Sequence, residues 1–254
     1  MIIPQLFKKP VALDFNTHRD LRMGTAPDPR SAGMGQLNSV FVAAVELGDV
    51  CVDYPIVFVN AGNDPQGKPQ VAPIAVLGLS EGENLFLGAD GPWRAAYLPA
   101  LLRAYPFGIA RVDDNRAVVV VDEGWSGWLR GGEAGVAMFQ ADGQPSPDLA
   151  EARDQLEKID QEVQRTRWFC NTLMEAGLLS GMRFEATMPD GQAVKVEGFQ
   201  ALDEAKFAEL PDAKIVEFHR SGVLALIHAH QISLRHMRKL VEWRVQGLQA
   251  QPAA

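Results

Sequence analysis

The chain has 254 residues, 47% of them hydrophobic and 22% charged, the composition of a globular protein rather than a disordered or fibrous one. Its 24 basic and 32 acidic residues leave a net charge of −8, which argues against general affinity for nucleic acid or an anionic membrane. Only two cysteines are present, Cys51 and Cys170, which excludes a disulfide scaffold.

The first residues, MIIPQLFKKPVAL, place Lys8 and Lys9 after their apolar residues and lack the long apolar stretch of a secretory leader. The densest apolar runs, residues 74–79, 117–121 and 223–227, are too short to cross a bilayer. The expectation is a cytoplasmic chain with no membrane insertion. It is read as a single domain over residues 1–254, with a strand-rich half (1–145) and a helix-rich half (146–254).

Residues 22–38 are rich in Gly, Pro and Ala and read as an irregular connection. Residues 54–59 and 71–79 are apolar runs separated by a Gly/Pro-containing polar loop, the pattern of a hairpin. Pro55 and Pro73 fall near the starts of these runs, where a missing N–H is tolerated. Residues 93–105 carry a helical apolar pattern (Trp93, Ala96, Tyr97, Ala100, Leu101, Ala104), with Pro99 set to kink or split it. Residues 107–112 and 117–121 predict a second strand pair, turning at Asp113-Asp114-Asn115. Residues 122–145 are Gly-rich and read as a loop.

Ser146-Pro147 has the form of a helix N-cap and first residue. From there Leu149, Ala152, Leu156, Ile159, Val163, Thr166, Cys170, Leu173 and Gly177 form an amphipathic stripe. Unbroken to Glu175, this helix is about 43 Å long, with one half available to contact a partner or a second copy through residues 146–177. Residues 183–188 and 193–199 predict another hairpin around Pro189-Asp190-Gly191. Residues 203–210 suggest a short helix. Residues 221–245 suggest a final helix with the stripe Val223, Ile227, His230, Leu234, Met237 and Val241. The tail, residues 249–254, is small and polar and is expected to fray. Segregated strands and helices indicate α+β, with antiparallel or mixed sheets, the long amphipathic helix and a C-terminal helix.

Several fragments imitate catalytic motifs and fail in context. Gly62 to Lys68 has P-loop spacing after a strand, but Pro69 stands where a hydroxyl should reach Mg²⁺, and a strand follows instead of a helix. Gly33-Met34-Gly35 has no preceding strand, and Asn38 replaces the third glycine. Gly124-Trp125-Ser126-Gly127 carries Trp128 in place of the second glycine of a nucleophile elbow. On one helix His228, His230 and His236 point in different directions, so they do not converge on a metal. His230 lies on the apolar stripe, which suits either a core histidine bonded to a backbone carbonyl or a general base at a pocket. Both cysteines sit among apolar neighbours, as structural thiols do. Trp125 and Trp128 either stack on a flat ligand or anchor their loop. The cations of the last helix, Arg235, Arg238, Lys239 and Arg244, read mainly as a solvated face.

Taken together, several segments resemble the SapC family of bacterial surface-layer loci, which is distinct from the peptide-transport permease of that name. They are His18-Arg19-Asp20-Leu21, Tyr54-Pro55-Ile56-Val57-Phe58, Leu77-Gly78-Leu79 and Asn84-Leu85-Phe86. Most specific are Trp93, Tyr97-Leu98-Pro99-Ala100, Arg103 and Tyr105-Pro106-Phe107. Further matches are Phe139, Asp142-Gly143, Thr166, Phe169, Leu173 and Gly177-Leu178-Leu179. Glu46-Leu47 departs from a Glu-Phe pair common in the family.

The resemblance implies a bacterial protein found in company with surface-layer genes, TonB-dependent receptors or flavin halogenase-like proteins, and it implies no catalytic residues. Within the matched core, Asn84, Trp93, Tyr97, Arg103 and Tyr105, together with His230, form the candidate ligand-binding set. Arg103 beside aromatic rings suits either a bidentate clamp on an oxyanion or a stacked, paired guanidinium that locks the fold. Two readings follow. One is a non-catalytic accessory or binding protein of a surface-layer or TonB-dependent uptake system, with a protein partner. The other is a small-molecule enzyme or cofactor-dependent partner with a pocket near Tyr97, Arg103 and His230. No particular cofactor is predicted, and no metal or nucleic acid is expected in either.

Overall fold

The computed structural model describes residues 1–26, 33–88, 92–113, 116–189, 191 and 193–249. The elements in chain order are β1 (Pro10–Ala12), α1 (Phe15–His18), β2 (Leu21–Met23), β3 (Ser39–Phe41), α2 (Leu47–Val50), β4 (Ile56–Asn63) and β5 (Pro69–Val76). Next come α3 (Ala100–Ala104), β6 (Phe107–Asp113), β7 (Arg116–Asp122), β8 (Trp128–Arg130), β9 (Val136–Ala137) and α4 (Pro147–Glu175). The last are β10 (Leu179–Thr187), β11 (Ala193–Leu202), α5 (Glu204–Ala208), α6 (Asp212–Ser221), α7 (Val223–Ser233) and α8 (His236–Gln249). All strand pairs are antiparallel, and the architecture is α+β.

The chain folds as two compact units, Met1–Gln36 with Ala100–Gln161, and Leu37–Pro99 with Glu162–Ala254. Each unit therefore draws on both sides of residue 145.

In the first unit, β1-β7-β6 and β8-β2-β9 make two three-stranded sheets. Leu21, Phe107, Ile109, Val121 and Met138 pack with Leu149 and Leu156 of α4. This is the spacing expected of the amphipathic stripe, because residues seven apart return to one helix face. Ser146 caps α4 by accepting the Leu149 N–H at 3.2 Å, as its hydroxyl at that position predicts. The expected loop over residues 122–145 instead contains β8 and β9. These strands are only three and two residues long, too short to leave an alternating pattern in the sequence.

The second unit is built on the sheet β10-β11-β4-β5-β3. Both expected hairpins are present, β4 with β5 and β10 with β11. Pro73 lies inside β5, opposite Phe58. Its carbonyl accepts the Val42 N–H, and its missing N–H ends the pairing with β3 there. The polar loop with P-loop spacing is a hairpin turn in which Asp64 Oδ1 accepts the N–H groups of Gln66 and Lys68. Helix α7 packs on β4, β11, α2 and α6. The second half of α4 buries Thr166, Phe169, Cys170 and Leu173.

Two helical expectations are corrected. The helix over residues 93–105 reduces to α3. Trp93 instead makes an isolated bridge to Leu87, the Ala96 N–H goes to Asp53 Oδ2 and the Tyr97 carbonyl to the Tyr54 hydroxyl. These tertiary bonds take backbone groups that a helix would have paired internally. The final helix over residues 221–245 is two helices, α7 and α8, and α6 before them gave no clear sequence signal. Of the sequence-stated turns, residues 114, 115 and 190 lie outside the described residues, as do residues 27–32 of the early connection and 250–254 of the tail.

Thr166 joins α4 to the turn that precedes α2. Its Oγ1 donates to the Glu162 carbonyl and accepts the buried Ala44 N–H at 2.8 Å. Thr166→Val keeps the shape and orphans that N–H, so it is expected to cost about 2 kcal/mol in a urea titration. A loss below about 0.5 kcal/mol would show that the bond contributes nothing net.

Candidate functional site

The six sequence-nominated residues divide between the units. Asn84, Trp93, Tyr97 and His230 belong to the second, Arg103 and Tyr105 to the first.

In the second unit Trp93 and Tyr97 meet on Tyr54. The Trp93 indole N–H donates to the Tyr54 hydroxyl at 2.6 Å, and that hydroxyl donates to the Tyr97 carbonyl. The Tyr97 hydroxyl then donates to Glu46 Oε1 at 2.9 Å, while Glu46 Oε2 accepts the Ala43 N–H. Phe86 stacks on both Tyr54 and Trp93, with ring centroids 4.3 and 5.7 Å away. Trp243 meets Phe86 edge to face, with ring centroids 5.1 Å apart. Asn84 joins this layer by accepting the Phe86 N–H on Oδ1. Burial, first of all, raises the Tyr54 hydroxyl pKa. A chain of satisfied, partly buried polar groups of this kind fixes one packing arrangement, so Asn84, Trp93 and Tyr97 hold the layer together.

His230 has different surroundings. Its Nε2 accepts the Leu202 N–H at 3.1 Å, and its Nδ1 stands 2.9 Å from the Ile56 carbonyl. The Leu202 bond leaves Nε2 without a proton, so Nδ1 carries it and donates to Ile56. In the register Phe58↔Gln200 and Val59↔Phe199, Ile56 would lie opposite Leu202. The imidazole therefore stands in for a direct ladder bond between β4 and β11. Burial pushes its pKa down to about 4, against the opposing effect of the Ile56 carbonyl.

The first unit holds a cavity of about 300 Å³. Tyr105, Phe107, Trp125 and Met138, all buried, supply its aromatic and apolar lining. Arg103 of α3 and Asp148, Glu151 and Gln155 of α4 are exposed and give it a charged rim. Asp148 lies in the first turn of α4, where a carboxylate complements the helix dipole.

Beneath this cavity Tyr105 is fixed by Asp122, which is fully buried. Asp122 Oδ2 accepts the Tyr105 hydroxyl at 2.8 Å, and Oδ1 accepts the N–H groups of Lys9 and Gly124 at 2.7 and 3.0 Å. Burial acts to raise its pKa, but the bonds from Lys9, Tyr105, Lys8 and Gly124 outweigh it and hold the carboxyl below its usual range. Tyr105 moves the other way: burial, and then the Asp122 carboxylate, raise its pKa.

The Asp122 carbonyl takes the Trp128 indole N–H at 2.8 Å and the Trp125 backbone N–H at 3.0 Å. The two Trp rings meet edge to face at 5.0 Å. A Cβ on Gly127 would lie 2.3 Å from the Trp125 ring, so glycine there lets the ring fold under its own loop. Both tryptophans thus anchor their loop, and Trp125 also lines the cavity. Next to them Glu123 receives Lys9 at 2.7 Å and lies 3.3 Å from the buried His18. Lys9 chiefly holds the Glu123 carboxyl below its usual range.

Sequence reading nominated Arg103 and Tyr105, and weighed Trp125 for ligand stacking. It missed Asp148, Glu151 and Gln155, although the Ser146-Pro147 cap already put them on the first turns of a helix. Burial raises the thiol pKa of Cys51 and pushes that of Cys170 up to about 12, as for structural thiols. Among the described residues no group of three His, Cys, Asp or Glu side chains is placed to hold a metal ion. No described helix is long and apolar enough to cross a membrane.

The family model described as SapC matches residues 13–240. No curated protein and no solved structure matches the chain.

Tyr105→Phe removes a bond to a buried carboxylate and is expected to cost about 2 kcal/mol at pH 7 by urea unfolding. Because the folded Asp122 pKa is depressed, its contribution is complete above the ordinary value of 3.8 and is lost as pH falls through the folded value. The Y105F penalty should therefore shrink in acid; a penalty independent of pH would contradict this account. For His230, the folded pKa of about 4 against 6.5 unfolded means that the unfolded chain takes up the proton first. Stability contributed by this group falls as pH drops from 6.5 to about 4, by ~3 kcal/mol in all. NMR titration should place the His230 midpoint near 4, and a midpoint near 6.5 would refute the buried neutral imidazole.

Proposed function

The chain belongs to the SapC family, and we propose that it is a non-catalytic binding protein of a bacterial surface-layer or TonB-dependent uptake system. In this reading it acts in the cytoplasm and takes a small organic ligand in the cavity of the first unit. The observation that carries the reading is that cavity: about 300 Å³, the lower end of the size usual for small-molecule sites. Buried aromatic rings supply non-directional contact area, while the charged rim supplies orientation. Arg103 offers a planar fork suited to a carboxylate, sulfonate or phosphate.

Binding is favoured over catalysis by how the nucleophilic and basic groups are used. His230 spends both nitrogens on backbone groups. Cys170 is buried with a raised pKa. Asp122 is enclosed by donors that stabilise its charge and oppose its use as a proton carrier.

The test uses 8-anilinonaphthalene-1-sulfonate, whose rings match the lining and whose sulfonate matches Arg103. Saturable binding with one site per chain, read by its fluorescence, is expected for the natural protein. Ala152→Trp, which fills the cavity from α4, should abolish it while circular dichroism stays unchanged. Equal binding by the filled variant would remove the cavity from consideration.

A further inference from the structure

The two edges of the sheet in the second unit differ in kind. At one edge β3 is only three residues long, and a short edge strand is a common protection against pairing with another chain. At the other, β10 runs for nine residues without a proline, and residues 181–183, 185 and 187 are exposed.

The irregularity in this hairpin leaves that edge intact. Met182 pairs with Phe199 and Phe184 with Val196, so Glu197 and Gly198 together oppose the single residue Arg183. The extra residue belongs to β11, where Gly198 has φ of +81°, the positive angle that glycine supplies to a bulge. Among the described residues no strand pairs with the other side of β10, which stays in extended backbone from Leu179 to Thr187.

The charges along that strand are self-complementary. In an antiparallel pairing of β10 with the same strand of another molecule, residues of equal parity oppose each other. With the twofold axis at Phe184, Arg183 faces Glu185 of the second copy, and Glu185 faces its Arg183. Met182 then faces Ala186. Shifting the axis by one residue puts Arg183 opposite Arg183, or Glu185 opposite Glu185. Within the chain Glu185 lies 3.5 Å from Arg183 of its own strand and 3.6 Å from Lys195, its partner in register. A row across the Phe184-centred pairing therefore reads Lys195, Glu185, Arg183, Glu197, with alternating sign, the last two from the second copy. Opposite charges facing each other across strands stabilise a pair, and like charges oppose it.

We propose that this chain forms a homodimer through antiparallel pairing of β10 with β10 of a second copy, centred on Phe184 and held in register by reciprocal Arg183–Glu185 pairs. The two sheets join into one continuous sheet. The interface is isologous and closes after two copies, because each copy uses the β10 edge of this sheet once.

Light scattering coupled to size exclusion should give the natural protein twice the chain mass of 27.8 kDa. Arg183→Glu places like charges opposite each other at two symmetric positions and should weaken the dimer by about tenfold. Glu185→Arg does the same with opposite sign and serves if the first variant fails to fold. The fourfold variant R183E/E185R/K195E/E197K reverses every charge in the row, keeps its alternation and should restore the dimer. A monomeric natural protein overturns the proposal, and so does a dimer that R183E and E185R leave unchanged. Failure of the fourfold variant to regain the dimer overturns the register.

Discussion

A carboxylate shut away from solvent organises the first unit. Asp122 ends β7, and its side chain gathers an N–H from the segment before β1, one from the turn after β7 and the Tyr105 hydroxyl at the end of α3. Its carbonyl meanwhile holds the Trp128 indole. Burying such a charge alone would be prohibitive; burying it with three donors fixes where four segments of chain begin or end. The cavity lining follows from this. Tyr105 and Trp125 line it because one is bonded to that carboxylate and the other closes the turn beginning at Asp122.

The second unit solves a related problem with neutral groups. Where β4 begins, Ser233 Oγ accepts the Ile56 N–H, and the His230 Nδ1–H donates to the Ile56 carbonyl. Both side chains come from α7. Thr166 does the same for the Ala44 N–H. In each case a strand or turn has run past its backbone partner, and a helix supplies one side-chain atom in its place. This obligation to pair buried backbone groups explains polar residues on helix faces that otherwise read as apolar.

The larger elements were legible because their signals are local. The Ser146-Pro147 cap and the stripe from Leu149 to Leu173 mark α4, and apolar runs separated by turn residues mark both long hairpins. What was not legible depended on distant chain. The region from Trp93 to Tyr97 has helical spacing, yet Asp53 and Tyr54 claim its backbone groups. The strands β8 and β9 exist only because β2 lies between them. The site was half legible for the same reason. Arg103, Tyr105 and Trp125 stood out by residue type. That Asp148 and Glu151 share their cavity depends on how α4 lies against α3, which no spacing encodes. His230 bonds to the backbone of β4 and β11 instead.

The imidazole between those two strands has a further consequence. A ladder bond between peptide groups is indifferent to protons, whereas this seam works only while one ring nitrogen accepts and the other donates. A protonated imidazole has two donors, and the second would confront the Leu202 N–H head on. The other neutral tautomer would set donor against donor and acceptor against acceptor, and a half-turn of the ring would put carbon where each nitrogen now stands. Asparagine and glutamine carry the right atoms, but an amide places its donor and acceptor on one carbon and has a different reach from a five-membered ring. The junction of β4 with β11 is therefore spliced by a part with a fixed orientation, a fixed tautomer and few substitutes.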